Sequence, residues 1–247
     1  MTTQRAKGQA RCRPPTVPSK RVAIVQSNYI PWKGYFDLIH AVDVFVLFDT
    51  AQYTRRDWRN RNRIKTPNGL QWLTIPVASK GRYLDTIDQI EVSDPTWSER
   101  HWRTIAANYA RAPHFQTVGP VLEELFLGCT EGRLSSINVR FLKGICTLLR
   151  IQTRFSWSSD YALAEGQTDR LVSICVQAGA DTYVSGPAAS RYIDPEKFRD
   201  AQIQLTYFDY SGYPEYRQLY PPFQHNVSII DLLLNEGPNA ARYMLTF

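Results

Sequence analysis

Between Asp49 and Lys65 the sequence runs DTAQYTRRDWRNRNRIK. Positions 55–65 hold six basic residues, Arg55, Arg56, Arg59, Arg61, Arg63 and Lys65, against one acid, Asp57. Arg59, Arg61 and Arg63 alternate with Asn60 and Asn62, so an extended chain would carry three guanidiniums on one face. Guanidiniums grip phosphates and carboxylates through paired N–H groups. With Trp58 beside them, these residues read as an anion site; a solvated charged edge is the plainer alternative.

Three other segments carry candidate chemistry. Residues 26–35 (QSNYIPWKGY) end a strand and open a helix. A helix N-terminus offers unbonded N–H groups and partial positive charge to a phosphate or carboxylate. Lys33 adds a full charge there, Gly34 lets the chain approach closely, and Tyr29 and Trp32 could stack on a ring. The GxxxxGK[ST] pattern of a P-loop is absent. Ser185 and Gly186 follow a second strand and offer backbone contacts. Without flanking glycines they make no hydrolase elbow. The run YFDYSGYPEYRQLYPPFQH, which includes Tyr207 and Tyr210, reads either as a polar-aromatic wall for a sugar or aminoacyl group or as core lining.

His40, His101, His114 and His225 show no metal-binding spacing, and no cysteine pairs with them, so no metal is expected. His225, which follows the tyrosine-rich run and precedes a helix, is the first candidate for a general base, and Asp209 is the second. Asp49 and Gln52 lie where a strand ends and complete the set of candidate binding residues.

The elements that must position these groups follow from hydrophobic period. Strands are expected at 21–26, 43–49, 72–77, 154–158, 181–185 and 202–208. Helices are expected at 34–42, 96–111, 120–127, 134–149, 168–178 and 227–235. Thr96 and Glu99 have capping-box spacing. Strand, turn, helix and strand within thirty residues predict a parallel βαβ unit. The sum is an α/β, Rossmann-like parallel sheet with a helical insertion near 95–150. Ligands of such sheets bind at the C-terminal ends of the strands. Lys33, Asp49, Ser185, Asp209 and His225 should therefore share one cleft with Tyr29, Gln52, Arg59, Asn60, Arg61 and Gly186.

Of 247 residues, 29 are basic and 23 acidic, and 43% are hydrophobic. Positions 1–21 hold six basic and no acidic residues, which accounts for the whole excess of +6. The remainder is neutral, against a nucleic-acid-coating domain. The expected organisation is a disordered basic tail at 1–20 and a single domain at 21–247. No apolar run is long enough for a membrane span, and the start lacks the apolar core of a secretory signal. Four scattered cysteines, Cys12, Cys129, Cys146 and Cys175, suit a reducing cytoplasm.

Residues 26–39, 52–66, 72–77, 179–189, 207–216 and 223–237 together resemble the WbqC-like family over about 21–240. Thr50 stands where members more usually have a second acidic residue. The resemblance implies an aminoacyl transferase, in particular a glycine transferase, acting on an amino sugar or similar amine in bacterial polysaccharide or natural-product biosynthesis. The donor would be a glycyl carrier-protein thioester or an aminoacyl-tRNA, with no cofactor. Asn62 and Lys65 extend the donor-binding residues in this reading. A second resemblance, to nucleotidyltransferase-like α/β proteins such as pantothenate synthetase, concerns the fold. Those enzymes carry HxGH where this chain has Trp32–Lys33–Gly34–Tyr35. The alternatives are an ATP-dependent amide ligase, with ATP at the 26–34 turn, and a non-catalytic module binding RNA or a charged glycan.

Overall fold

The computed structural model describes residues 19–247. Residues 1–18 of the expected tail, Cys12 among them, lie outside that range, whereas Lys20 is held against Asp181 and Ala178. Five strands form one parallel sheet: β1 (Arg21–Val25), β2 (Val44–Leu47), β5 (Arg154–Trp157), β6 (Thr182–Ser185) and β7 (Gln204–Tyr207), in the spatial order β5-β2-β1-β6-β7. β3 (Arg61–Thr66) and β4 (Gly69–Thr74) form a separate antiparallel hairpin.

Alternation along the strands decides which side chains face which layer. Ala23, Phe45, Leu47 and Val184 face a core shared with α1 (Lys33–His40), α2 (Trp97–Tyr109), α3 (Phe115–Leu127), α4 (Leu134–Leu148) and α7 (Ile229–Glu236). Val22, Ile24, Val44, Val46 and Tyr183 face the other way, onto α5 (Gln167–Gln177) and α6 (Pro195–Asp200). The sheet is thus buried on both faces, as parallel strands require. The helices expected as an insertion add their apolar faces to the first core.

Three local expectations are corrected. The strand expected at 72–77 is β4, and it pairs with β3 rather than joining the parallel sheet. Pro67–Asn68 make the tight turn between them, and Gly69, at φ +101°, opens β4. Thr96 and Glu99 form no capping box: Thr96 Oγ1 donates to Asp94 Oδ1 at 2.7 Å. The helix expected from Pro120 begins at Phe115 and runs through the proline.

Cys129, Cys146 and Cys175 are free thiols. No helix of the described residues is long and apolar enough to cross a membrane.

Candidate functional site

Order reverses around β1. The chain leaves it toward β2 and β5, and later returns on its other side as β6 and β7. β1 and β6 pair only through Arg21–Thr182 and Val22–Tyr183, so their C-terminal halves are not joined. Lys33, Asp49 and Ser185 all follow or end strands of this parallel set and therefore lie at the same sheet edge.

The turn between β1 and α1 is tightly held. Buried Ile30 has φ +36°, in the left-handed region that a β-branched side chain resists. Asn62 Nδ2 holds this strained turn by donating to the carbonyls of Tyr29 and Ile30, at 3.2 and 2.9 Å. The Trp32 indole folds back over Gly34, and a Cβ on Gly34 would overlap its ring. Trp32 packs in turn against Tyr210 and Tyr213, with ring centres 5.4 Å away in each case.

No side chain caps α1; Tyr35 N donates to Trp32 O at 3.1 Å, and the N–H groups of Lys33 and Gly34 are left without a hydrogen-bond partner among the described residues. Lys33 opens this helix. Its Nζ donates to Pro214 O at 2.9 Å and lies 4.9 Å and 5.3 Å from the ring centres of Tyr213 and Tyr216. Burial pushes the Lys33 pKa down to about 8, with Asp37 opposing in part. His225 is near enough to feel that charge. Burial and Lys33 hold its pKa below the ordinary histidine value, against a small opposing effect of Glu215. Its ring stands edge-on to Phe223, 4.6 Å between centres.

A pocket of about 260 Å³ opens beside this group, lined by Asn28, Pro31, Trp32, Trp58, Asn62 and Asn226. Arg59 reaches toward it and donates to Asn28 Oδ1. Arg63 Nη2 donates to Asn226 O at 3.1 Å and its guanidinium lies 5.5 Å from the Trp58 ring centre. A neutral imidazole, an ammonium, free helix N–H groups and an aromatic-walled pocket can together bind an anion or a carbonyl oxygen and accept a proton.

Several expected site residues have other positions. Tyr29 is fully buried and does not line the cleft; its hydroxyl bonds His101 Nδ1 at 2.8 Å. Asp49 is buried beneath the edge, where its carboxylate accepts from Ser27 N and Ser135 Oγ. Burial raises its pKa and those hydrogen bonds lower it. Asn60 donates inward to Ile75 O at 2.8 Å. Gln52 is exposed and turns toward Tyr83. Exposed Asp209 closes its own turn, accepting from Ser211 N and Oγ, both at 2.9 Å. Those bonds hold its pKa below the usual carboxylate range, which suits a turn and not a base. Ser185 is buried at its strand end, Gly186 is half-buried, and Tyr207 is exposed on edge strand β7.

The face expected for Arg59, Arg61 and Arg63 is shifted. β3 starts at Arg61, so Arg61, Arg63 and Lys65 share a face, and Arg59 precedes it in the turn. Lys65 is covered: its Nζ donates to Gln218 Oε1 and to the carbonyls of Tyr220 and Pro222. Behind it, buried Asp231 accepts from Tyr109 Oη at 2.7 Å and Tyr216 Oη at 2.8 Å. Sequence reasoning missed this support for the His225 loop, and it missed Asn28, Trp72 and Asn226. Asn226 adjoins His225 and Asn28 lies inside the singled-out turn, so position alone could have found those two. Among the described residues no group of three His, Cys, Asp or Glu is placed to hold a metal ion.

A parallel sheet with helices on both faces and its polar groups at the C-terminal edge defines a doubly wound α/β protein. The chain belongs to the WbqC-like protein family, whose profile matches residues 26–243. It is 50% identical over 225 residues to the uncharacterized protein Rv1507c of Mycobacterium tuberculosis, covering 91% of this chain and 97% of that one. No solved structure matches it.

Proposed function

We propose that the protein is an aminoacyl transferase, glycyl transfer being the simplest case, that acylates the amine of an amino sugar or similar acceptor. The observation that supports this reading is that His225 lies within electrostatic reach of Lys33, which opens the uncapped helix α1. A histidine with a lowered pKa is an unprotonated base at neutral pH. In this reading the acceptor amine attacks the carbonyl carbon of an activated ester or thioester. His225 takes the amine proton and returns it to the departing alkoxide or thiolate. The free N–H groups of α1, with Lys33 behind them, face the oxygen on which negative charge develops. The Trp32 and Trp58 walls would hold the acceptor ring.

The test is mass spectrometry of amino-sugar acceptors incubated with glycyl-tRNA, a glycyl carrier-protein thioester, or glycine plus ATP. Transfer from a pre-activated donor is expected, and His225→Ala should slow it about 10²-fold or more. Full activity of a folded His225→Ala protein would overturn the assignment. Product only with ATP, accompanied by nucleotide cleavage, would replace transferase by amide ligase.

A further inference from the structure

The outer face of the β3–β4 hairpin has a composition that the transfer chemistry does not use. Arg63 lies directly across from Trp72, and Arg61 is its diagonal neighbour. Their guanidinium carbons are 5.3 and 4.2 Å from the Trp72 ring centre. Trp58 joins the group, 5.5 Å from Trp72 and 5.5 Å from Arg63. Both indoles remain open to solvent, Trp72 at 42% and Trp58 at 39% exposure.

The charge on this face is not neutralised. Among the described residues neither Arg61 nor Arg63 has an acidic partner; Asp57, the nearby acid in sequence, pairs with Arg59 at 3.5 Å. Each of the two guanidiniums makes a single hydrogen bond, to the backbone carbonyl of Arg56 or Asn226. Two uncompensated cations invite an anion. Two exposed indoles invite a flat ring. A simple anion uses only the first feature and an apolar partner only the second; phosphate joined to a nucleobase uses both. From Arg61 to Arg63 is roughly 7 Å along the strand, the reach of one or two nucleotides.

We propose that this face binds a nucleotide, its phosphates on Arg61 and Arg63 and its base on Trp72. Trp58 belongs both to this face and to the pocket, so the nucleotide would lie beside the transfer site. The inference rests on the transferase reading for its meaning and names one substrate as nucleotide-bearing, either a free nucleotide conjugate or the single-stranded end of an RNA.

Binding of inorganic pyrophosphate, uridine diphosphate, adenosine diphosphate and a short single-stranded RNA ending in CCA to the full chain would test it, by calorimetry at fixed salt. Arg61→Gln combined with Arg63→Gln should weaken every probe at least tenfold. Trp72→Leu should weaken the nucleotides and the RNA at least tenfold and leave pyrophosphate unchanged. RNA binding tenfold tighter than the diphosphates assigns the nucleotide to an RNA end, and parity assigns it to a free nucleotide; both support the proposal. Absence of binding, or pyrophosphate matching the nucleotides with Trp72→Leu indifferent, overturns it. A His225→Ala protein that has lost transfer but still binds nucleotides separates this inference from the transfer reading.

Discussion

Lys65 Nζ and Gln218 Oε1 are 2.9 Å apart although 153 residues separate them in sequence. Gln218 in turn donates to Gln224 O at 2.9 Å and accepts from Gln224 N at 2.8 Å. The two residues thus tie the hairpin to the loop that presents His225. Lys65→Met should leave the carbonyls of Tyr220 and Pro222 without their donor, at about 1–3 kcal/mol for each group that stays buried and unpaired. Urea unfolding would measure that loss. Under the proposed transfer reading, the rate should fall with it, because the same loop carries His225.

Tyr29 and His101 should set part of the acid sensitivity. Burial pushes His101 down to about 4, with a Thr74 backbone bond opposing in part. The unfolded chain therefore takes up a proton near pH 6.5 that the folded chain refuses until about pH 4. Stability should fall as pH falls through that window, by on the order of 3 kcal/mol for a shift of this size. His101→Phe should flatten the dependence of unfolding free energy on pH between 6.5 and 4. An unchanged slope would show that another group governs it.

Lys33 gives the same sign at alkaline pH. Its folded value of about 8 lies below the ordinary 10.5. Between those values the unfolded chain holds a proton that the folded chain has released, so stability should rise as pH rises. Lys33→Met should remove that rise in denaturation curves taken from pH 8 to 10.5. Any step that needs the ammonium, such as anion binding at the start of α1, should weaken above pH 8 in the native protein.

Asn62 holds the strained turn at Ile30. Asn62→Ala should release two carbonyls and let φ of Ile30 relax, costing about 1–3 kcal/mol in stability. Because Asn62 also lines the pocket, acceptor affinity should fall more than thermal stability predicts. Asn60→Ala offers the comparison: Asn60 holds only Ile75 O and lies off the pocket lining.

Much of the sheet was legible because its signals are local. The runs at β1, β2 and β6 are short, apolar and followed by polar turns, and the β1–α1–β2 spacing dictates a parallel pair. The cleft edge followed from topology. The hairpin was half missed because β3 is written in arginine and asparagine, with no apolar alternation to mark it. The identity of the buried polar residues was hidden for a related reason. Tyr29 and Trp32 look equivalent in sequence, yet one closes on His101 in the core and the other on Gly34 at the pocket wall. Lys65 looks like its arginine neighbours until a loop from 150 residues away covers it. Such differences depend on long-range closure, which local periodicity does not encode.

The short pairing of β1 with β6 has a mechanical consequence. Every other junction of the parallel sheet joins four residue pairs, whereas this central one joins two. The lateral seam with the fewest paired residues therefore runs through the middle of the sheet, beneath the cleft, and not along its rim. Amide protons of β6 and β7 should exchange with deuterated solvent together and sooner than those of β1 and β2, as one cooperative flap. Pulling the chain by Arg21 and Tyr207 should part the molecule along that seam, leaving β1, β2 and β5 still stitched side by side.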